Sequence, residues 1–179
     1  MKNLLLPLAA VATLCLAGCG GKTEKDPNTL VETDFETLAG WIPEPQSGTL
    51  TTEKAHSGRY AIKVDGNHDY SLTYKVPMGE LHDTRVKKIK VSAWTFVSAA
   101  DAQAALVAAV GNPADPNKPL LWDATDLNHS HTPGKWVEIN KVLTVPATAS
   151  PASTLGVYMW RTGGTKPVYL DDLKVTIAE

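Results

Sequence analysis

From Leu30 onward the chain alternates apolar and polar residues with a period of two, and this excludes most architectures. Successive side chains on a strand point to opposite faces, whereas an amphipathic helix repeats near 3.6. In 59–64, Tyr60, Ile62 and Val64 share one side; in 70–76, Tyr70, Leu72, Tyr74 and Val76 do. Segment 87–97 groups Ile89, Val91, Ala93 and Val97, and 136–145 groups Val137, Ile139, Leu143 and Val145. Segments 154–161 and 167–177 continue the series. Asp65-Gly66-Asn67 and Gly163-Gly164 separate neighbouring segments and predict hairpin turns. About eight or nine short strands with little helix predict an all-β sandwich.

Two stretches depart from the alternation. Residues 99–110 (AADAQAALVAAV) are alanine-rich and fit a short helix on propensity, or a loop followed by a strand near 104–110. Their place between strands favours the second reading. Residues 112–131 carry Pro113, Pro116 and Pro119 among Asp and Asn, and predict a long loop with a short strand around 120–122. Long loops in compact domains often bind ligands. Lys and Arg total 17 against 19 Asp and Glu, a net charge of −2, without the basic excess that nucleic acid demands. With 43% hydrophobic and 20% charged residues in 179, the composition is that of one globular domain.

The N-terminus reads as an address. Met1-Lys2-Asn3 precedes an uncharged apolar run, 4–18. That run is shorter than the roughly 20 residues a bilayer span needs, and it has the layout of a secretory signal peptide. Its end, Leu16-Ala17-Gly18-Cys19, resembles the lipobox of bacterial lipoproteins. The resemblance implies a signal peptide at 1–18, lipidation of Cys19, and a bacterial cell-envelope location with the membrane as a partner. An ordinary signal peptide that contains a cysteine is the alternative. Gly20 in place of an Asp leans toward the outer membrane, at its periplasmic face or the cell surface. Cys15 and Cys19 are the only cysteines, so the mature domain would have no disulfide. Residues 19–29 read as the lipidated Cys and a polar tether, and 30–179 as the domain.

Phe35-Glu36, Ala55-His56-Ser57-Gly58-Arg59-Tyr60, Val91-Ser92-Ala93-Trp94, Gly134-Lys135-Trp136 and Val168-Tyr169-Leu170-Asp171-Asp172-Leu173 follow one another along the chain. In this order they resemble the jelly-roll carbohydrate-binding modules of the galactose-binding-like superfamily, of the type found on xylanases and β-glucanases. The resemblance covers 30–177. It implies a jelly-roll β-sandwich that binds polysaccharide or oligosaccharide without catalysis. A structural or protein-interaction lipoprotein with no glycan site is the alternative, with other envelope proteins as partners.

Alternation places Asp171 on one face with Tyr169, Leu173, Val175 and Ile177, so its carboxylate is expected to point inward. A buried unpaired carboxylate is costly and requires a partner. In the resembling modules a structural calcium sits at the matching place. Carried over, its ligands are Glu36, Asp171 and backbone carbonyls of Lys54 to Ser57, an oxygen set that suits calcium. A salt bridge to Arg59 or Arg161, or a parity slip at a bulge, would also answer the charge.

Trp94 and Phe96 lie opposite the aliphatic set of their strand, and Tyr158 and Trp160 opposite Leu155, Val157 and Met159. If these strands share a sheet, the four line its outer face as a platform for sugar rings. A covering layer of loops would instead make Trp94 and Trp160 core. Trp122, in the Pro/Asp loop, is the best exposed platform. Trp136 reads as structural and Trp41 as a cap on the sandwich end. Arg161, Asp123, Asp126 and Asn128 could contact hydroxyls. His129 and His131 lack the third ligand that zinc needs. No nucleophile elbow, zinc-protease, P-loop or dinucleotide motif is present. Asp171 and Asp172, adjacent in a strand, are expected on opposite faces, unlike a glycosidase pair.

Overall fold

The structure is a computed structural model that describes residues 26–40, 42, 46–128 and 132–179. The leader, Cys19, Trp41, His129 and His131 lie outside these residues. The strands are β1 (Thr29–Thr33), β2 (Leu50–Thr51), β3 (Ala61–Val64), β4 (Tyr74–Pro77), β5 (Lys88–Val97), β6 (Gln103–Val110), β7 (Leu121–Asp126), β8 (Trp136–Thr144), β9 (Thr154–Gly163) and β10 (Val168–Ile177). One α-helical turn, α1 (Met78–Leu81), follows β4. Two antiparallel sheets face each other. One has the order β2-β3-β10-β5-β8, with β1 also on β10; the other has the order β4-β9-β6-β7. The expected β-sandwich is the observed fold.

The core lies between the sheets, where the alternating sets meet. Ile89, Val91, Ala93 and Val97 of β5 face Leu155, Val157 and Met159 of β9 and Leu106, Ala108 and Val110 of β6, all buried. Each large side chain there contributes about 1.5–3 kcal/mol by leaving water. The alanine-rich segment is the strand β6, not a helix. It is central in its sheet and covered on both faces, so Ala105 and Val107 are buried as well as Ala104 and Leu106. A doubly covered strand needs no alternation, and small side chains let both layers approach it.

Neither expected hairpin forms a strand pair. The 65–67 turn is made, with Asp65 bridged to His68 and its Oδ1 accepting the Asn67 N–H at 2.9 Å. The chain then leaves β3 in the six-stranded sheet and enters β4 in the other. The turn around Gly163-Gly164 likewise carries β9 into β10 on the opposite layer. A turn signal marks a reversal; which layer buries the following apolar face decides the partner.

β10 also corrects the placement of Asp171. Asp171 pairs with Trp94, and the next aligned pair is Lys174 with Ser92, so β10 carries an extra residue at a bulge. Asp172 takes up that extra residue with φ of 48°, in the left-handed region that Asp tolerates better than most residues. Parity therefore changes within the strand. Tyr169 and Asp171 lie on the outer face with Trp94 and Phe96, whereas Leu173 and Val175 join the core. The parity slip at a bulge is the alternative that holds.

Candidate functional site

The outer face of the four-stranded sheet is floored by small residues. Ala105 of β6 lies between Trp160 and Asp126, Val107 between Tyr158 and Ala124, and Ala109 between Gly156 and Trp122. Four aromatic side chains stand on this floor. The Trp122 Nε1–H donates to the Tyr158 hydroxyl at 3.3 Å, and its ring lies 6.0 Å from that of Trp160 at 60°. Tyr70 lies 6.1 Å from Tyr158 at 59° and bridges Trp160 through its backbone. Tyr70 is 59% and Trp122 49% exposed, while Tyr158 and Trp160 are half-buried. The rings are tilted rather than coplanar, and each leaves apolar surface open to solvent. Such surface suits the flat C–H faces of sugar rings. Tyr158 and Trp160 share this face as expected, and Trp122, expected separately as an exposed platform in the Pro/Asp loop, joins them from the strand β7.

Tyr70 was missed by the sequence. Alternation grouped it with Leu72, Tyr74 and Val76, but the ladder of β4 begins only at Tyr74. Buried Ser71 interrupts the pattern: its Oγ accepts the Met159 N–H at 2.9 Å and donates to the Leu72 carbonyl at 2.9 Å. Leu72 and Tyr74 pack against the core and Tyr70 stays outside. The polar run Asn67-His68-Asp69 before it was the available signal.

Other candidates lie elsewhere. Arg161 donates from Nε to Asp69 Oδ1 at 2.9 Å, from Nη1 to the Gly164 carbonyl at 2.6 Å, and from Nη2 to Asp69. Asp123 pairs with Lys141 at 3.3 Å across the sandwich edge. Asn128 ties Ala102 and Ala104 to its own side chain.

Trp94 is on the opposite sheet, so it cannot join this platform. The 52–60 loop covers the outer face of β5 and β10 there. His56 stacks on Trp94 with centroids 4.0 Å apart at 11°, and Lys54 Nζ sits 4.3 Å above the Phe96 ring. Trp136 packs edgewise on Phe96 and His56, the structural role expected of it. Beside the loop, a cleft of about 530 Å³ is lined by Trp94, Glu32, Asp34, Glu138, Asp172 and Lys174, among others.

Two carboxylates hold this loop by its backbone. Glu36 Oε1 accepts the Arg59 and Tyr60 N–H groups at 2.6 and 2.7 Å, which hold its pKa below the usual range. Asp171, fully buried, accepts the His56 and Ser57 N–H groups at Oδ2 (2.7 and 3.0 Å) and the Asp172 N–H at Oδ1 (2.7 Å). Burial nevertheless pushes its pKa up. Asp172 accepts from the side chains of the same dipeptide, Ser57 Oγ and His56 Nδ1, both at 2.6 Å. The bulge thus brings both aspartates to residues 56–57, not to opposite faces. Among the described residues, no group of three or more His, Cys, Asp or Glu converges as a metal cluster, and neither Arg59 nor Arg161 pairs with Asp171.

A family model described as a carbohydrate binding domain matches residues 27–165. No curated protein matches the chain. Among solved structures, it is similar to the CBM22-1-CBM22-2 tandem domain from Paenibacillus barcinonensis Xyn10C, at 18% identity and TM-score 0.59. The match covers 89% of this chain and 52% of that one, so the chain spans about half of the tandem. The CBM22-2 domain of the same protein matches at 18% identity and TM-score 0.56, over 83% of this chain and 99% of that one. The C-terminal family 22 carbohydrate binding module of Clostridium thermocellum Xyn10B matches at 12% identity and TM-score 0.57, over 86% and 96%. At these identities the likeness is one of fold.

Proposed function

With 27–165 matched, the chain belongs to the carbohydrate binding domain family, and we propose that it binds a single polysaccharide chain, without cleaving it, on the outer face of the four-stranded sheet. The observation that carries this is the group Tyr70, Trp122, Tyr158 and Trp160, open to solvent over a floor of small residues. The tilt of about 60° between neighbouring rings in two pairs suits a chain that turns along its length, not a flat crystalline surface. The Paenibacillus CBM22-2 neighbour is titled a xylan-binding domain, so xylan is the first polymer to try. Non-catalytic action is supported by Glu36, Asp171 and Asp172, whose carboxylates are engaged in hydrogen bonds that hold the 52–60 loop. Affinity electrophoresis through gels containing soluble xylan, β-glucan and other neutral polysaccharides tests the reading. Retardation by at least one polymer is expected, abolished in Trp122→Ala and retained in Trp94→Ala. Loss in the Trp94 variant alone would move the site to the other sheet.

We further propose a structural calcium at the 52–60 loop. Each carboxylate oxygen offers about two lone pairs. Those of Asp171 Oδ1 and Glu36 Oε2 are not all taken by the N–H groups that both residues accept. With carbonyls of Lys54 to Ser57 they make an oxygen donor set that calcium favours. The cation would neutralise a buried carboxylate and fasten the loop. A melting temperature unchanged by EDTA and by added calcium would rule it out. The Leu16–Cys19 sequence supports a lipid anchor at Cys19 with the domain held in the cell envelope. Metabolic labelling with a palmitate analogue, lost in Cys19→Ser, checks it.

A further inference from the structure

Tyr70 is the most exposed ring of the platform, yet it stands on no strand: β4 begins four residues later. An aromatic ring that exposed is not fixed by packing, so its position depends on what holds the backbone beneath it. The segment is sewn to β9 on both sides of Tyr70. On one side the Arg161 N–H donates to the Asp69 carbonyl at 2.8 Å, while the Arg161 guanidinium grips the Asp69 carboxylate through Nε and Nη2. On the other side Ser71 exchanges two bonds with Met159, its N–H donating at 3.1 Å and its Oγ accepting at 2.9 Å. The third guanidinium nitrogen, Nη1, reaches the Gly164 carbonyl in the turn that leads to β10.

We infer that Arg161 and Asp69 are positioning residues that hold Tyr70 in the ligand-binding face; this rests on the polysaccharide-binding reading of that face. Each of the three guanidinium nitrogens donates one N–H within the protein, which commits Arg161 to Asp69 and Gly164, so its role runs through Asp69. A planar fork can bind a carboxylate and a carbonyl together; a lysine ammonium at the same place could not keep that geometry. An exposed ion pair adds little to folding stability, so its loss is expected in the ring's position more than in the melting temperature. Pre-organisation of a stacking ring is where such a pair changes affinity.

The test has a ligand-free arm and a binding arm, on Arg161→Met, Asp69→Asn, Tyr70→Ala and the Tyr70→Ala/Arg161→Met double variant. In solution, nuclear Overhauser contacts between the Tyr70 and Tyr158 rings are expected in the wild type and lost in Arg161→Met and Asp69→Asn. In soluble xylan, or whichever polymer retards the wild type, these two variants are expected to bind about threefold to tenfold more weakly. The double variant should bind no more weakly than Tyr70→Ala. Ring contacts that persist in both single variants overturn the inference. So do unchanged affinities, or losses that multiply in the double variant, which would mean a direct sugar contact by Arg161. If no polymer retards the wild type, the binding reading fails, and the ring contacts still decide whether Arg161 and Asp69 place Tyr70.

Discussion

Replacing the fully buried Asp171 by alanine strands three part-buried backbone N–H groups, those of His56 and Ser57 in the loop above it and of Asp172 beside it. Each buried donor left without an acceptor costs about 1–3 kcal/mol. Water entering the vacated space recovers part of this, so a net loss of about 3–5 kcal/mol is expected. That is a large share of the roughly 5–15 kcal/mol that holds a domain folded. For a domain of this size it corresponds to a fall in melting temperature of about 6–20 °C. Urea denaturation followed by tryptophan fluorescence, with EDTA present throughout, measures it without any contribution from bound metal. The discriminating variant is Asp171→Leu. Were Asp171 turned into the sandwich beside Leu173 and Val175, leucine would be neutral or stabilising, as apolar replacements of buried charge often are. Under the loop, leucine accepts no hydrogen bond and must destabilise at least as much as alanine. A leucine variant as stable as the wild type would refute the bulge and everything drawn from it.

Two further outcomes follow from the same geometry. Gly58 has φ of +54°, and a β-carbon there would collide with Glu36 Oε1, so Gly58→Ala should release the Glu36 clamp and cost about 1–3 kcal/mol in the same assay. Asp65 is partly buried, which raises its pKa, but the Asn67 N–H, His68 and Lys63 outweigh burial and leave it lowered. A lowered carboxylate contributes stability that is present above its unfolded pKa and lost as pH falls through the folded one. The stability gap between wild type and Asp65→Ala should therefore be full near neutrality and close below the usual carboxylate range. A gap independent of pH would deny the ionised carboxylate that role.

How much could be read beforehand differs between fold and site. The two-residue period named the strands and their buried faces, because a half-buried strand must alternate wherever it stands. It was silent where a strand is covered on both sides: the alanines of β6 face aromatic rings on one side and the core on the other, so they do not alternate, and only the segment's place between strands favoured the strand that forms there. It failed at β10, where one residue in the left-handed region shifts the parity of everything after it. Tyr158 and Trp160 were legible from their opposition to aliphatic neighbours, and Trp122 from its place in the Pro/Asp segment. Tyr70 was not, because Ser71 breaks the alternation through hydrogen bonds to a strand 88 residues away in sequence.

The sequence by itself determined that this chain is a β-sandwich with aromatics left over from its core, since local alternation, turn residues and composition act over a few residues. It also carried the motifs that place it in its family. The tertiary structure alone decided which sheet each strand joined, and so that Trp94 and Trp160 lie on opposite outer faces. It alone decided that the 52–60 loop is held by Glu36 and Asp171 and covers one of those faces. Layer choice depends on which apolar surfaces bury one another across the whole molecule, and that long-range competition leaves no mark in a short window of residues.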